Sequence, residues 1–189
     1  MPEQPIIAFS SAAVFRRWLT KNHVEHPGIW MQIAKKDSGI ASVTYAEALD
    51  EALCLGWIDG QKKRLDEAAW LQKFTKRGVR SLWSKVNVGH IERLTREGRM
   101  QPAGQAAVDA AKADGRWDAA YHSASKAELP ADFLAALAKH KKAEAFFATL
   151  NQSNRYAIYF RITTAKKPET RAKRIADFVA MLKREEKLH

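Results

Sequence analysis

Apolar and polar positions follow two different periods along this chain, one in its first eighty residues and another after them. Ile6 to Phe9 is a short apolar run that reads as a strand. Ser10 or Ser11 then supplies an N-cap for a helix in which Val14, Phe15, Trp18 and Leu19 share one face. The helix is expected to end near Asn22, ahead of the Pro27-Gly28 turn. Residues 28–36 alternate well enough for a strand, which Asp37-Ser38-Gly39 stops, so this segment reads as a hairpin edge or a strand-to-loop exit. Thr44-Tyr45-Ala46-Glu47 has the form of a capping box. It opens a helix to about Leu55 with Ala48, Leu49, Ala52 and Leu53 facing inward, and Gly56 is a suitable stop. Asp59-Gly60 is a common turn pair, and residues 57–64 and 69–76 read as two short strands.

Helical spacing takes over beyond Lys76-Arg77-Gly78. A helix from Trp83 to Glu97 is marked by Val88, Ile91, Leu94 and Thr95 and stopped by Gly98, and another runs from Pro102 to Asp114-Gly115. Pro130 opens a helix containing Phe133, Leu134 and Leu137, Ala143 to Leu150 form the next, and Ser153 caps a stretch with Tyr156, Ile158, Tyr159 and Ile162. The last helix begins around Pro168 and carries Ile175, Phe178, Val179 and Leu182. Strands mixed with helices, then helices alone, predict an α+β fold: a small antiparallel sheet with helices over residues 1–115 and a helical part over 116–189.

Composition narrows the function classes. With 46% hydrophobic and 28% charged residues in 189, the chain is a folded globule, which excludes disorder and fibres. No apolar run approaches the roughly 20 residues of a membrane helix, and Met1-Pro2-Glu3-Gln4-Pro5 lacks the basic and apolar regions of a secretory leader, so a cytoplasmic location is expected. Cys54 is the lone cysteine and reads as a buried, inert thiol. The six histidines show no metal-ligand spacing, and no phosphate loop, dinucleotide fingerprint or nucleophile elbow is present. Neither a metal nor a cofactor is expected.

The net charge of +11 is concentrated in two blocks, +7 over residues 60–100 and +8 over residues 139–189. The second reads mainly as solvated helix faces. The first interleaves Lys62, Lys63, Arg64, Arg77, Arg80 and Lys85 with Trp70, Phe74 and Trp83, a pattern that suits anions. Within it Trp57, Asp59, Arg77, Ser81, Trp83 and Asn87 are candidate ligand-binding residues. They can line a cleft, with Asp59 as a general base and Arg77 holding an anionic substrate, or they can be core. Arg77, Arg80, Ser84 and Lys85 are candidate anion-binding residues around the start of the helix near Trp83, where first-turn N–H groups carry the positive end of the helix dipole; plain N-capping is the alternative.

The same segments carry a family resemblance. Thr44-Tyr45-x-Glu47-Ala48-Leu49-Asp50-Glu51, Gly56-Trp57-Ile58-Asp59-Gly60, Phe74-Thr75-x-Arg77, Ser81-x-Trp83-Ser84-x-x-Asn87 and Asp114-Gly115-Arg116-Trp117, with Arg155-Tyr156 and Glu169-Thr170-Arg171 further on, resemble the YdeI/OmpD-associated bacteriocin-protection family of bacteria. Lys76 departs from the proline of its FTPR-like stretch. The resemblance implies an N-terminal domain similar to the YdhG-like (DUF1801-like) fold and a C-terminal helical domain. It also implies a non-enzymatic link to stress and to tolerance of bacteriocins or cationic antimicrobial peptides. Because a +11 protein repels cationic peptides, protection is expected to be indirect, through an anionic small molecule or an envelope partner. A small-molecule binder or enzyme, and nucleic-acid binding by the basic aromatic block, are the alternatives.

Overall fold

A computed structural model describes residues 4–189, and the Met1–Glu3 part of the leader reading lies outside them. The chain forms two compact units. The first holds the residues up to Ser81 together with Asn87–Asp118, and the second holds Leu82–Val86 and Ala119–His189.

The first unit contains strands β1 (Ile6–Ala8), β2 (Ile29–Ala34), β3 (Trp57–Arg64) and β4 (Ala69–Lys76) and helices α1 (Ala12–Asn22) and α2 (Tyr45–Cys54), and it includes most of α3 (Lys85–Arg96) and all of α4 (Pro102–Ala113). The local signals work as physical chemistry requires. Ser11 accepts from the Val14 N–H at the start of α1. At α2 the Thr44 hydroxyl accepts from Glu47 N while the Glu47 carboxylate accepts from Thr44 N, which closes the capping box.

The fold is α+β, but its sheet, in the order β1-β2-β4-β3, is mixed and not antiparallel: Ile6, Ile7 and Ala8 pair parallel to Trp30, Met31 and Gln32. A parallel pair requires a crossover, and α1 provides it. This also makes β2 an internal strand instead of a hairpin edge. Asp59-Gly60 is likewise not a turn but lies in β3, where the register against β4 slips between Asp59 and Lys62. The turn falls at residues 65–68, where Asp66 Oδ1 accepts from the N–H groups of Ala68 and Ala69. One face of the sheet packs Ile29, Met31, Ile33, Trp57 and Phe74 against Phe15 and Leu19 of α1 and Ala48 and Ala52 of α2.

In the second unit Trp83 and Ser84 are extended instead of helical, because Tyr121 bridges to them: Tyr121 N donates to Trp83 O (3.0 Å) and Lys85 N donates to Tyr121 O (2.8 Å). For this reason α3 starts at Lys85. Helices α5 (Ala131–Ala138), α6 (Lys141–Thr149), α7 (Gln152–Thr163) and α8 (Pro168–Lys183) enclose a core of Phe133, Leu137, Ile158, Ile162, Phe178 and Leu182. Asn151, and not Ser153, caps α7 by accepting from Asn154 N. Asn154 is itself buried, and its Oδ1 accepts from the N–H groups of Leu188 and His189, tying down the C-terminal residues.

Candidate functional site

The first unit contains a cavity of about 460 Å³, within the range usual for small-ligand sites. Its geometry begins at Gly56, where φ of +74° turns the chain from α2 into β3. Arg77 N donates to Gly56 O (2.9 Å), which fastens the end of β4 beside this corner. On the other side α4 comes in with its backbone almost touching. Gln101 N donates to Cys54 O (3.0 Å), and a Cβ on Gly104 would stand 2.7 Å from the Cys54 carbonyl carbon. That docking lays Ala103, Ala106, Ala107 and Ala110 along the cavity as a floor of methyl groups.

The charged lining is cationic. Lys76, Arg77 and Arg116 face the cavity with Asp114 as the carboxylate among them. Asp114 is already engaged: the Arg116 Nε donates to both its oxygens, at 2.8 and 2.7 Å, while Arg116 Nη1 donates to Ser81 O (3.0 Å). Both arginines are buried, Arg77 at 9% and Arg116 at 8% exposure, whereas Val79 on the rim is 85% exposed. The arrangement offers positive charge above an apolar floor and an apolar lip, which suits a ligand with an anionic head and a short apolar body.

Of the residues expected to converge, Arg77 lines this cavity and the others do not. Trp57 is fully buried in the core and donates its indole N–H to His23 O (3.0 Å), so it is packing and not lining. Asp59 Oδ2 accepts from the Tyr45 phenol (2.9 Å), whose pKa is driven upward by burial and by this carboxylate, so the phenol is held as a neutral donor. Ser81 enters through its carbonyl, which orients Arg116. Trp83 belongs to the second unit and is 2% exposed; Asn87 is half-buried on α3. Of the residues grouped around an anion, Arg80 is exposed in the loop after β4, and Ser84 sits in the bridge to Tyr121. The Lys85 N–H is taken by the Tyr121 carbonyl. Cys54 is fully buried, and burial pushes its thiol up to about 11. Among the described residues there is no cluster of three or more metal-ligating side chains, and no helix is long and apolar enough to cross a membrane.

Sequence reasoning missed Arg116 and the floor of α4 as site residues. The available signal was the alanine stripe at helical spacing, with Gly104 in the same helix as the mark of a close backbone approach.

Residues 7–107 match the model of a domain of unknown function, DUF8412, and residues 126–185 match the model described as bacteriocin-protection, YdeI or OmpD-associated. The chain belongs to the DUF8412 family, with a YdeI/OmpD-associated segment at its C-terminal end. The cavity, with Gly56, Arg77 and Ala103 to Ala107, falls within the DUF8412 match except for its last residues, Ala110, Asp114 and Arg116. The resemblance seen in the letters is therefore carried by the YdeI/OmpD-associated model over α5 to α8, while the N-terminal half, where a YdhG-like domain was implied, is matched by DUF8412. No curated protein and no solved structure matches the chain at a significant level.

Proposed function

We propose that this chain is a non-enzymatic bacteriocin-protection protein that works through a bound anionic ligand held in the cavity beneath Arg77 and Arg116. The single observation that carries the reading is the lining itself: Lys76, Arg77 and an Arg116–Asp114 pair, a net positive lining over a floor of alanines. An anion entering there meets charge-assisted donors in a partly dry site, where such bonds are strongest. The opposite idea, direct capture of cationic peptides, works against a net charge of +11.

Two measurements test the proposal. In vitro, octanoate should raise the melting temperature and decylammonium should not. Ala107→Trp, which fills the space over the floor, and Arg77→Ala should both abolish that rise, whereas Lys141→Ala, at an exposed position on α6, should keep it. In cells, a deletion strain should be killed faster by a bacteriocin or a cationic peptide, and complementation with wild type but not with Ala107→Trp should restore survival. Octanoate stabilisation that persists in Ala107→Trp would show that the ligand lies elsewhere. Unchanged killing after deletion would remove the protective role while leaving the binding result standing.

A further inference from the structure

A second cavity of the first unit, about 440 Å³, opens at the opposite end of the β3–β4 hairpin and is lined by Lys35, Lys36, Lys62, Lys63, Arg64 and Trp70. We propose that this basic aromatic edge of the sheet is a binding surface for single-stranded nucleic acid. It is independent of the anion cavity beneath Arg77.

The charge on this edge is not internally cancelled. Of the neighbouring carboxylates, Glu67 pairs with Arg64, while Asp66 and Asp59 accept from neutral donors, backbone N–H groups and the Tyr45 phenol, and form no ion pair with these lysines. Among the described residues no carboxylate pairs with Lys36, Lys62 or Lys63. β3 is the last strand in the sheet order, so Lys62 and Lys63, which point to opposite faces, both reach the same open edge.

The aromatics decide which polyanion fits. The Lys62 ammonium lies over the Trp70 ring at 4.3 Å, and Tyr45, 37% exposed, stands beside that ring with centroids 6.1 Å apart. On the other face Lys63 and Lys73 lie over Trp30 at 4.3 and 5.7 Å. Trp30 is only 9% exposed and so positions the two lysines instead of offering a platform. Trp70 with Tyr45 is a platform. A surface cation–π contact is weaker than a stacked base, so an arriving base displaces the Lys62 ammonium from the ring and frees it for the adjoining phosphate. A duplex keeps its bases stacked on one another and cannot use the ring, so the edge should prefer unpaired strands.

Three unpaired ammonium groups predict a slope of about −2 for log affinity against log salt, from about 0.7 per phosphate on a single strand. The experiment is fluorescence anisotropy of full-length protein with fluorescein-labelled (dT)12 across a salt series. Unlabelled (dT)12, a 12-base-pair duplex and phosphatidylglycerol vesicles serve as competitors. We expect the single strand to compete best. Lys62→Ala with Lys63→Ala should reduce the slope by about 1.4, Trp70→Ala should weaken binding about tenfold, and Lys141→Ala should change neither. Because Trp70 also packs against the core, the double lysine variant at two exposed positions carries the test if Trp70→Ala misfolds. No binding at low salt overturns the proposal. So does equal or better competition by duplex or vesicles, or a slope untouched by the double variant.

Discussion

Gly104→Ala should destabilise the protein, although alanine is the better helix former. In the first turn of α4 the exchange gains at most about 1 kcal/mol of intrinsic helix propensity. Against that, the new Cβ would lie 2.7 Å from the Cys54 carbonyl carbon and 2.8 Å from Leu53 O, and closer still to Cys54 O, where ordinary contact starts at 3.4 Å. Helix α4 must therefore withdraw by at least about 0.7 Å from atoms that are backbone and cannot rotate away. Withdrawal stretches the Gln101 N to Cys54 O hydrogen bond of 3.0 Å and opens the packing of Val108 and Ala111. Overpacking of this kind costs about 1–3 kcal/mol, and a weakened buried hydrogen bond adds about 1 kcal/mol, so the net loss should be about 1–3 kcal/mol. Gly89, on the exposed face of α3 with nothing within 4 Å of its added Cβ, is the internal control. There the same exchange should stabilise by up to about 1 kcal/mol. Urea unfolding followed by circular dichroism measures both, and the two midpoints should move in opposite directions. A Gly104→Ala protein as stable as wild type, or one shifted the same way as Gly89→Ala, would refute the close approach that forms the cavity.

Other residues give further tests. Asp50, half-buried, accepts from Arg93 at 2.6 and 2.7 Å and is bonded to His90 at 3.1 Å; burial pushes its carboxyl up, but these bonds and the charges of Arg93 and Arg99 hold it below the usual range. With the folded pKa depressed, its stabilisation is complete above the unfolded value near 3.8 and is lost as pH falls through the folded one. Asp50→Asn should thus lose about 1–3 kcal/mol at neutral pH and show a flatter decline in acid, read by urea midpoints from pH 7 to about pH 3. Cys54, with its thiol raised to about 11, should react with a disulfide reagent at pH 8 only as fast as the protein opens, and rapidly in urea; a fast native reaction contradicts its burial. Asn154→Ala removes the acceptor of the Leu188 and His189 N–H groups and should cost about 1–3 kcal/mol and expose the last residues to carboxypeptidase; unchanged trimming rates would deny the clamp.

What could be read from the letters was what depends on near neighbours. The Thr44–Glu47 box, the Ser11 cap and the helical faces of α1, α5 and α8 involve residues within a turn or two of one another, and they stand where the spacing puts them. Asp59-Gly60 shows the limit of such signals, since the same pair serves a turn or a bulge and only the register against β4 chooses between them. The direction of β1 depends on a three-residue strand finding β2 across α1, a non-local pairing. Arg77, which lines the cavity, was legible as a candidate because charge and aromatics crowd it locally. Its cavity mate Arg116 was not, because the two come to one cavity only after α4 docks through Gly104, and Trp57 stayed open between cleft and core because a buried indole and a lining one are written with the same letter.

The short extended stretch from Leu82 to Val86 has a consequence for how the chain can be divided. Its partner Tyr121 lies beyond Asp118, so a fragment ending there would keep Trp83 O and the Lys85 N–H but lose the residue that satisfies both. A fragment starting at Ala119 would keep Tyr121 and lose the same pairing from the other side. The two family matches stop at 107 and resume at 126, which leaves Tyr121 in the interval between them. A cut between Asp118 and Ala119, where the first unit ends, therefore separates two backbone pairings, whereas a cut after Ala127 keeps both of them on one piece. A protein split at Asp118 would need Leu82–Val86 supplied in trans, as a peptide added back to the fragment from Ala119, before that fragment could close its own ladder.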